Sequence, residues 1–401
     1  MLEGLDKIDW SKLAHAYGPA GDVPAQLRKL ASRDPERRRT AMYDLHGNIW
    51  HQGTVYEATA AAVPFLIELV SSPNVEDRDE ILIFLSELAN GNSYCEVHQH
   101  LELLKDKAAS DEWKTQMEKE LDWVQRARDA VLAGRQVFLD FLEQRDSKLR
   151  EASVYLLASL TRPEPETAEK LWSLFESETD ERCRASSLIG FGRLATPEPV
   201  NQSLLLKVFV KADSKLERLV AALSLARLFP QELTRDVIQE MLSALFNPEP
   251  YEALSSSPWG IDGLELLLEG VLTSLEGEPK TFVENELERA LADAIHPAAL
   301  NAARVFLSMA FHKRPPNDVS MDDLNPLQQR LVRAMARNKW AWVRSVSGTP
   351  AKKPGDAIIF SLCYMGVGLQ RLLSASALEA GTFPPEPDSM WSGIKRWLKK
   401  N

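Results

Sequence analysis

Four segments of this chain repeat one pattern, an acid that closes a turn and a basic residue one helical turn later. They are Asp34-Pro35-Glu36-Arg37-Arg38, Asp146-Ser147-Lys148-Leu149-Arg150, Asp180-Glu181-Arg182-Cys183-Arg184 and Asp213-Ser214-Lys215-Leu216-Glu217-Arg218. The last three acids lie 34 and 33 residues apart, the length of one helical hairpin. Each acid is a natural N-cap, because its carboxylate accepts from the free N–H groups of the first helical turn. An apolar helix precedes each turn, with Val131, Phe138, Phe141 and Leu142 before Asp146, or Leu171, Leu174 and Phe175 before Asp180. A second apolar helix follows, as with Ala152, Leu156 and Leu160. One such hairpin cannot bury both helices, so neighbours must stack into a continuous core. A chain of 401 residues is therefore expected to form one array and not two or three unrelated domains.

The array extends on both sides. Val63, Phe65, Leu66 and Leu69 form a first helix, Ser72-Pro73-Asn74 a turn, and Ile81, Leu82, Phe84, Leu85 and Leu88 a second helix. Val237–Phe246 pairs with Leu264–Leu275 across a loop holding Pro248, Pro250 and Pro258, and Phe282–Ile295 pairs with Ala298–Phe311. Asn90–Asp111 is polar and irregular, and reads as an insertion followed by an extra helix over Trp113–Arg128. Strand-like alternation is scarce. The expected fold is all-α, with about seven or eight antiparallel helix pairs stacked in a right-handed α-solenoid over 1–323 and a helical cap over 324–401.

On these features the chain resembles the HEAT-repeat superfamily over roughly Asp22–Phe311, and Pro64 inside a first helix fits, since such helices are often kinked there. Two segments, Gly47-Asn48-Ile49-Trp50-His51-Gln52-Gly53-Thr54-Val55-Tyr56-Glu57-Ala58-Thr59 and Leu324-Asn325-Pro326-Leu327-Gln328-Gln329-Arg330 with Trp342 beyond it, are similar to a group of bacterial HEAT-repeat proteins of unsettled function. This resemblance implies an architecture and supplies no catalytic residues.

Three places carry candidate chemistry. In the first, Thr54 and Glu57 have capping-box spacing with Gly53 as the turn, which leaves His51, Gln52 and Tyr56 as candidate partner-binding residues on an inter-helix loop. The second, Cys95, His98 and His100, lies within six residues, yet no other Cys and His cluster completes a zinc site, so no metal is expected. The third is electrostatic. Leu324–Gly355 contains no Asp or Glu but carries Arg330, Arg333, Arg337, Lys339, Arg344, Lys352 and Lys353. This segment is +7 in a chain of net charge −11, which leaves −18 elsewhere. Arg330, Arg333 and Arg337 line one helical stripe, and Trp340 and Trp342 follow with Arg344, a set suited to nucleic acid bases or an acidic partner. Alternatively, these arginines pair with the acids of the same chain.

Several classes are set aside. The acidic balance argues against a surface built throughout for nucleic acid. No Gly-rich phosphate loop, GxSxG, HExxH or CxxC occurs, and the chain has no His-Glu dipeptide of the kind repeated in HEAT-like deoxyhypusine hydroxylase. HEAT-like alkylpurine glycosylases use a basic concave groove, whereas positive charge here gathers near one end. Three distant cysteines, Cys95, Cys183 and Cys363, suit a reducing compartment. Glu3 and Asp6 stand where a secretory signal needs basic and apolar residues, and Ala357–Gln370 falls short of the roughly 20 residues of a bilayer span. The expectation is a bacterial, cytoplasmic, non-enzymatic scaffold without cofactor or membrane contact. It would sequester a protein partner, in its sharpest form as an immunity protein that inhibits a basic toxin or effector. The alternative is a nucleic-acid-binding or glycosylase-like protein acting through the C-terminal stripe.

Overall fold

Helical periodicity dominates because apolar residues recur at three- and four-residue steps throughout, and the structure, a computed structural model, is all-α. It describes residues 1–99, 104–160, 163–260, 263–294, 298–311, 315, 316 and 318–338, with a few positions between 372 and 380. Among the described residues the only sheets are two short hairpins, β1 (Ala14–His15) with β2 (Gly18–Pro19) and β3 (Trp50–His51) with β4 (Thr54–Val55). None of the described helices is long and apolar enough to cross a membrane.

The chain forms two compact units, Met1–Ser203 with Ser256–Ile261, and Leu204–Ser255 with Asp262–Asn401. The first holds α1 (Val23–Leu30), α2 (Pro35–Asn48), α3 (Glu57–Ser71), α4 (Arg78–Ala89), α5 (Tyr94–His98), α6 (Lys105–Ala108), α7 (Asp111–Leu132), α8 (Arg135–Phe141), α9 (Ser147–Leu160), α10 (Pro165–Ser177) and α11 (Glu181–Leu194). Within it α1 packs on α2, α3 on α4, α8 on α9 and α10 on α11, while α4, α9 and α11 pack successively against one another. Helix α12 (Pro199–Lys211) spans the division. The second unit holds α13 (Lys215–Leu228), α14 (Arg235–Phe246), α15 (Glu252–Ser255), α16 (Leu264–Thr273), α17 (Gly277–Asp293), α18 (Ala298–Ala310) and α19 (Pro326–Arg337). In it α13 packs on α14, α17 on α18, and α19 on both α17 and α18.

The helix expected before Asp146 is in fact two. Val131 lies in the last turn of α7, whereas Phe138 and Phe141 belong to α8. The break falls at Gly134, where a Cβ would lie 2.7 Å from the Ile67 side chain and 2.8 Å from that of Phe138. Nor is α7 peripheral. It buries Trp113, Ala127 and Val131 and packs on both α3 and α4, so the insertion is confined to the short helices α5 and α6 and the chain around them.

The repeated acid and arginine make a recurring clamp in the first unit. Asp34 accepts from Glu36 N, Asp146 from Lys148 N and Asp180 from Cys183 N, each at 3.0 Å. The arginine one turn on then folds back onto the carbonyls of the preceding turn. Arg38 Nη1 donates to Ser32 at 2.9 Å, Arg150 Nη1 to Gln144 and Arg145 at 2.6 and 2.8 Å, and Arg184 Nη1 to Phe175 and Glu178 at 2.7 and 3.0 Å. These carbonyls lie at helix ends, where intrahelical donors are missing. Two of the arginines also reach the following turn: Arg38 Nε lies 2.6 Å from Asp77, and Arg150 Nε 2.6 Å from Glu178.

The fourth repeat corrects the sequence reading. Helix α13 starts at Lys215, so its N-cap is Ser214, whose hydroxyl accepts from Glu217 N at 3.3 Å, and Asp213 stands one residue too early. The capping positions Asp146, Asp180 and Ser214 are then evenly spaced by 34 residues.

Candidate functional site

The loop before α3 is a two-residue hairpin with His51 opposite Thr54. Gln52 and Gly53 both adopt positive φ, 50° and 89°, as a type I′ turn demands. Asn or Gly usually takes the first of these positions, and a glutamine there holds strained backbone at an exposed tip. The expected capping box of Thr54 and Glu57 does not form. Pairing of β4 keeps the chain extended through Tyr56, so the helix opens at Glu57 with Tyr56 as N-cap. Thr59 Oγ1 accepts from Tyr56 N at 2.9 Å and donates to the Ile49 carbonyl at 2.6 Å. Glu57 accepts instead from Ala14 N at 3.3 Å, tying α3 to the first hairpin.

Thr54 Oγ1 donates to the His51 carbonyl at 2.8 Å, so the Tyr56 hydroxyl must donate to Thr54 at 2.9 Å. Burial pushes the Tyr56 phenol above its ordinary value. Tyr56 thus braces the hairpin, while His51 and Gln52 form its tip.

A third tip residue, Tyr17, was missed in the sequence. It is 72% exposed and meets the His51 ring edge-on at 5.5 Å. Its only sequence signal is a Tyr-Gly turn. Behind it, His15 Nδ1 accepts from Tyr17 N at 3.0 Å, so Nε2 carries the proton donated to Asp22 at 3.0 Å. The other Asp22 oxygen accepts from Gln26 at 2.9 Å and Asn48 at 2.8 Å.

A second region lies on the face of the second helices α4, α9 and α11. A cavity of about 250 Å³ is lined by Asp79, Lys148, Glu151 and Arg182 from their first turns and by Ser256–Pro258. Glu151 is buried. Desolvation pushes its carboxyl up, against the opposing pull of Arg182 at 2.7 Å and Ser186 at 3.2 Å. Beside it Trp259 stands edge-on to Tyr155 at 4.9 Å, with the Arg193 guanidinium 5.4 Å from its ring. Further along, His46 bonds the Met42 carbonyl through Nδ1 at 2.9 Å and Glu87 through Nε2 at 2.8 Å. Burial alone would lower its pKa, but those two acceptors and the charges of Glu87 and Glu80 raise it above the ordinary value. Sequence offered no pointer to this face, since Glu151 is the single acid of its helix and its partners Arg182 and Ser186 lie in another.

The Cys95 cluster has a structural explanation. Cys95 is buried, and its thiol is pushed up to about 11 by desolvation and by the Glu120 carboxylate, which accepts from Ser93 Oγ and Cys95 N at 2.8 Å each. His98 stacks on Tyr94 at 4.1 Å, and His100 lies outside the described residues. Among the described residues no group of three or more His, Cys, Asp or Glu is arranged to hold a metal ion.

On α19 the basic stripe is divided. Arg330 Nε lies 2.7 Å from Glu288, and its Nη2 donates to Asn285 at 2.7 Å. Arg333 and Arg337 are exposed, and Arg333 bonds Gln329 at 3.2 Å. Leu331, Val332, Met335 and Ala336 anchor the opposite face. Trp340, Trp342 and Arg344 lie outside the described residues.

No family model and no curated protein matches the chain. Among solved structures, an engineered protein aligns over 90% of this chain and 82% of its own at 16% identity, with a TM-score of 0.32. A likeness that weak carries no argument about fold or function.

Proposed function

We propose that the chain is a non-enzymatic, HEAT-like binding scaffold whose acidic surface holds a basic protein partner in a bacterial cytoplasm. Its sharpest form is an immunity-type inhibitor of a cationic toxin or effector. The helix pairs would stack as a right-handed α-solenoid, a reading supported by the even 34-residue spacing of the caps and by the arginine clamps that link successive turns.

The observation that carries the binding reading is how the first unit distributes its charge. The arginines that follow each cap are turned inward: Arg38 and Arg150 are only 10% and 14% exposed as side chains and are spent on carbonyls and on Asp77 and Glu178. Glu143, Glu166, Glu169 and Glu176, on or just after first helices, face solvent. These exposed carboxylates would steer and orient a cationic partner. Pairing of Arg330 with Glu288 also removes one cation from the stripe on which the nucleic-acid alternative depends.

Affinity capture from the native host, with and without nuclease, tests the reading. A basic protein retained after nuclease and released as salt rises is the expected result. Loss of all retained protein on nuclease treatment overturns it in favour of the α19 stripe.

A further inference from the structure

Between the first helices α8 and α10 lies a cavity of about 560 Å³. It is lined by the C-terminal end of α8 with the two residues after it, and by α10 along most of its length. Leu139, Leu142 and Leu174 contribute apolar surface to it, and Leu139 and Leu174 remain partly accessible. Glu143, Glu166 and Glu169 also line it, all exposed, against one lining cation, Lys170. An apolar strip bordered by three carboxylates and one ammonium has the chemistry of a helix-in-groove seat for a cationic ligand.

We propose that this groove receives a cationic amphipathic helix of the partner protein. Leucine-like side chains one helical turn apart would lie on Leu139 and Leu174, with flanking Lys and Arg facing the three glutamates. Charge complementarity selects this occupant. A second copy of the chain would bring an acidic surface of its own to an acidic groove, and nucleic acid would meet three carboxylates with its phosphates. The inference rests on the partner-binding reading and adds where the partner sits and what it presents.

The probe is a fluorescent 14-residue peptide with leucines on one helical face and Lys and Arg on the others, compared with a scrambled peptide of equal charge. The expected result is binding that weakens about tenfold or more for the scrambled peptide and for the Glu143→Gln/Glu166→Gln/Glu169→Gln protein. A Glu143→Lys/Glu166→Lys/Glu169→Lys protein should lose the cationic peptide and gain one whose basic residues are replaced by Glu. That gain cannot come from misfolding. Equal binding of ordered and scrambled peptides, or no response to either triple variant, overturns the groove. If the captured native partner also ignores the triple variants, the groove fails while the scaffold reading stands. If capture yields nucleic acid alone while the groove binds peptide as expected, the scaffold reading fails by itself.

Discussion

Arg150 and Arg330 make the same kind of bond in opposite settings. Arg150 meets Glu178 with both side chains enclosed, at 14% and 3% exposure, whereas Arg330 meets Glu288 with both at 38%. The first pair is also a backbone device: Arg150 holds two turn carbonyls, and Glu178 accepts from Thr179 N and Asp180 N at 2.8 and 2.9 Å. The second pair contacts side chains alone. Identical residue types thus fasten a turn in one place and trim surface charge in another, and solvent decides which.

The largest expected effect follows directly. Removing one partner of an enclosed pair strands a charge, so Glu178→Ala should cost about 3–5 kcal/mol. Glu288→Ala should cost less than about 1 kcal/mol, because its partner regains water. Hydrogen exchange of amides in α9 and α11 for the first variant, and in α17 and α19 for the second, reads both losses. Equal losses would break the comparison.

Acid sharpens it. Burial pushes Glu178 up, but the Arg150 guanidinium and the N–H groups around it hold its carboxyl down to about 2. Its folded value is depressed, so its contribution is complete above the ordinary value of 4.5 and is lost as pH falls through about 2. Stability of the first unit should therefore decline across that window, and Glu178→Gln should remove this share of the slope. An unchanged slope in the variant would show that other carboxylates govern acid unfolding.

Capping gives a smaller effect and tests the register. Ser214→Ala should cost about 1 kcal/mol, while Asp213→Ala should stay within about 0.5 kcal/mol because it caps nothing. Reversed magnitudes in urea unfolding would restore the spacing read from the acids alone. The sequence made the hairpin turns legible because caps are local: a carboxylate or hydroxyl and the N–H it serves lie within three residues. It misplaced the fourth cap because Asp and Ser are equivalent candidates when adjacent, and only the helix start separates them. Long-range pairing was less visible. Nothing near Arg150 in sequence marks Glu178 as its partner, and the closeness of Ile67 that leaves no room for a Cβ at Gly134 is equally remote in sequence. The capping reading at Thr54 failed for the same reason: Thr54 looked like a cap until strand pairing claimed it, and Tyr17 became part of the hairpin tip only when two distant turns met.

His46 provides a switch of opposite sign to Glu178. Both ring nitrogens face acceptors, an arrangement that favours the protonated ring. Its folded pKa is raised, so its stabilisation is complete below the unfolded value of 6.5 and fades as pH rises through the higher folded value. Titration of the His46 ring by NMR should give a midpoint above 6.5 that falls in Glu87→Gln. A midpoint below 6.5 would mean that burial outweighs both acceptors.

The smallest stability effect belongs to the two open arginines. Arg333→Gln with Arg337→Gln should change stability by less than about 0.5 kcal/mol, since neither residue holds backbone or buried charge. Their value lies in what they discriminate. If α19 binds phosphates, the double variant should weaken binding of a fluorescent single-stranded oligonucleotide and reduce its dependence on salt by about 0.7 for each phosphate no longer neutralised. Glu288→Gln should do the reverse, because it releases Arg330 to join the stripe. A stripe that serves only as solvated surface predicts weak oligonucleotide binding that neither variant changes. The same exposed cations that contribute nothing to folding thereby decide between the two partner chemistries, and the Arg150 clamp, for all its effect on stability, says nothing about either.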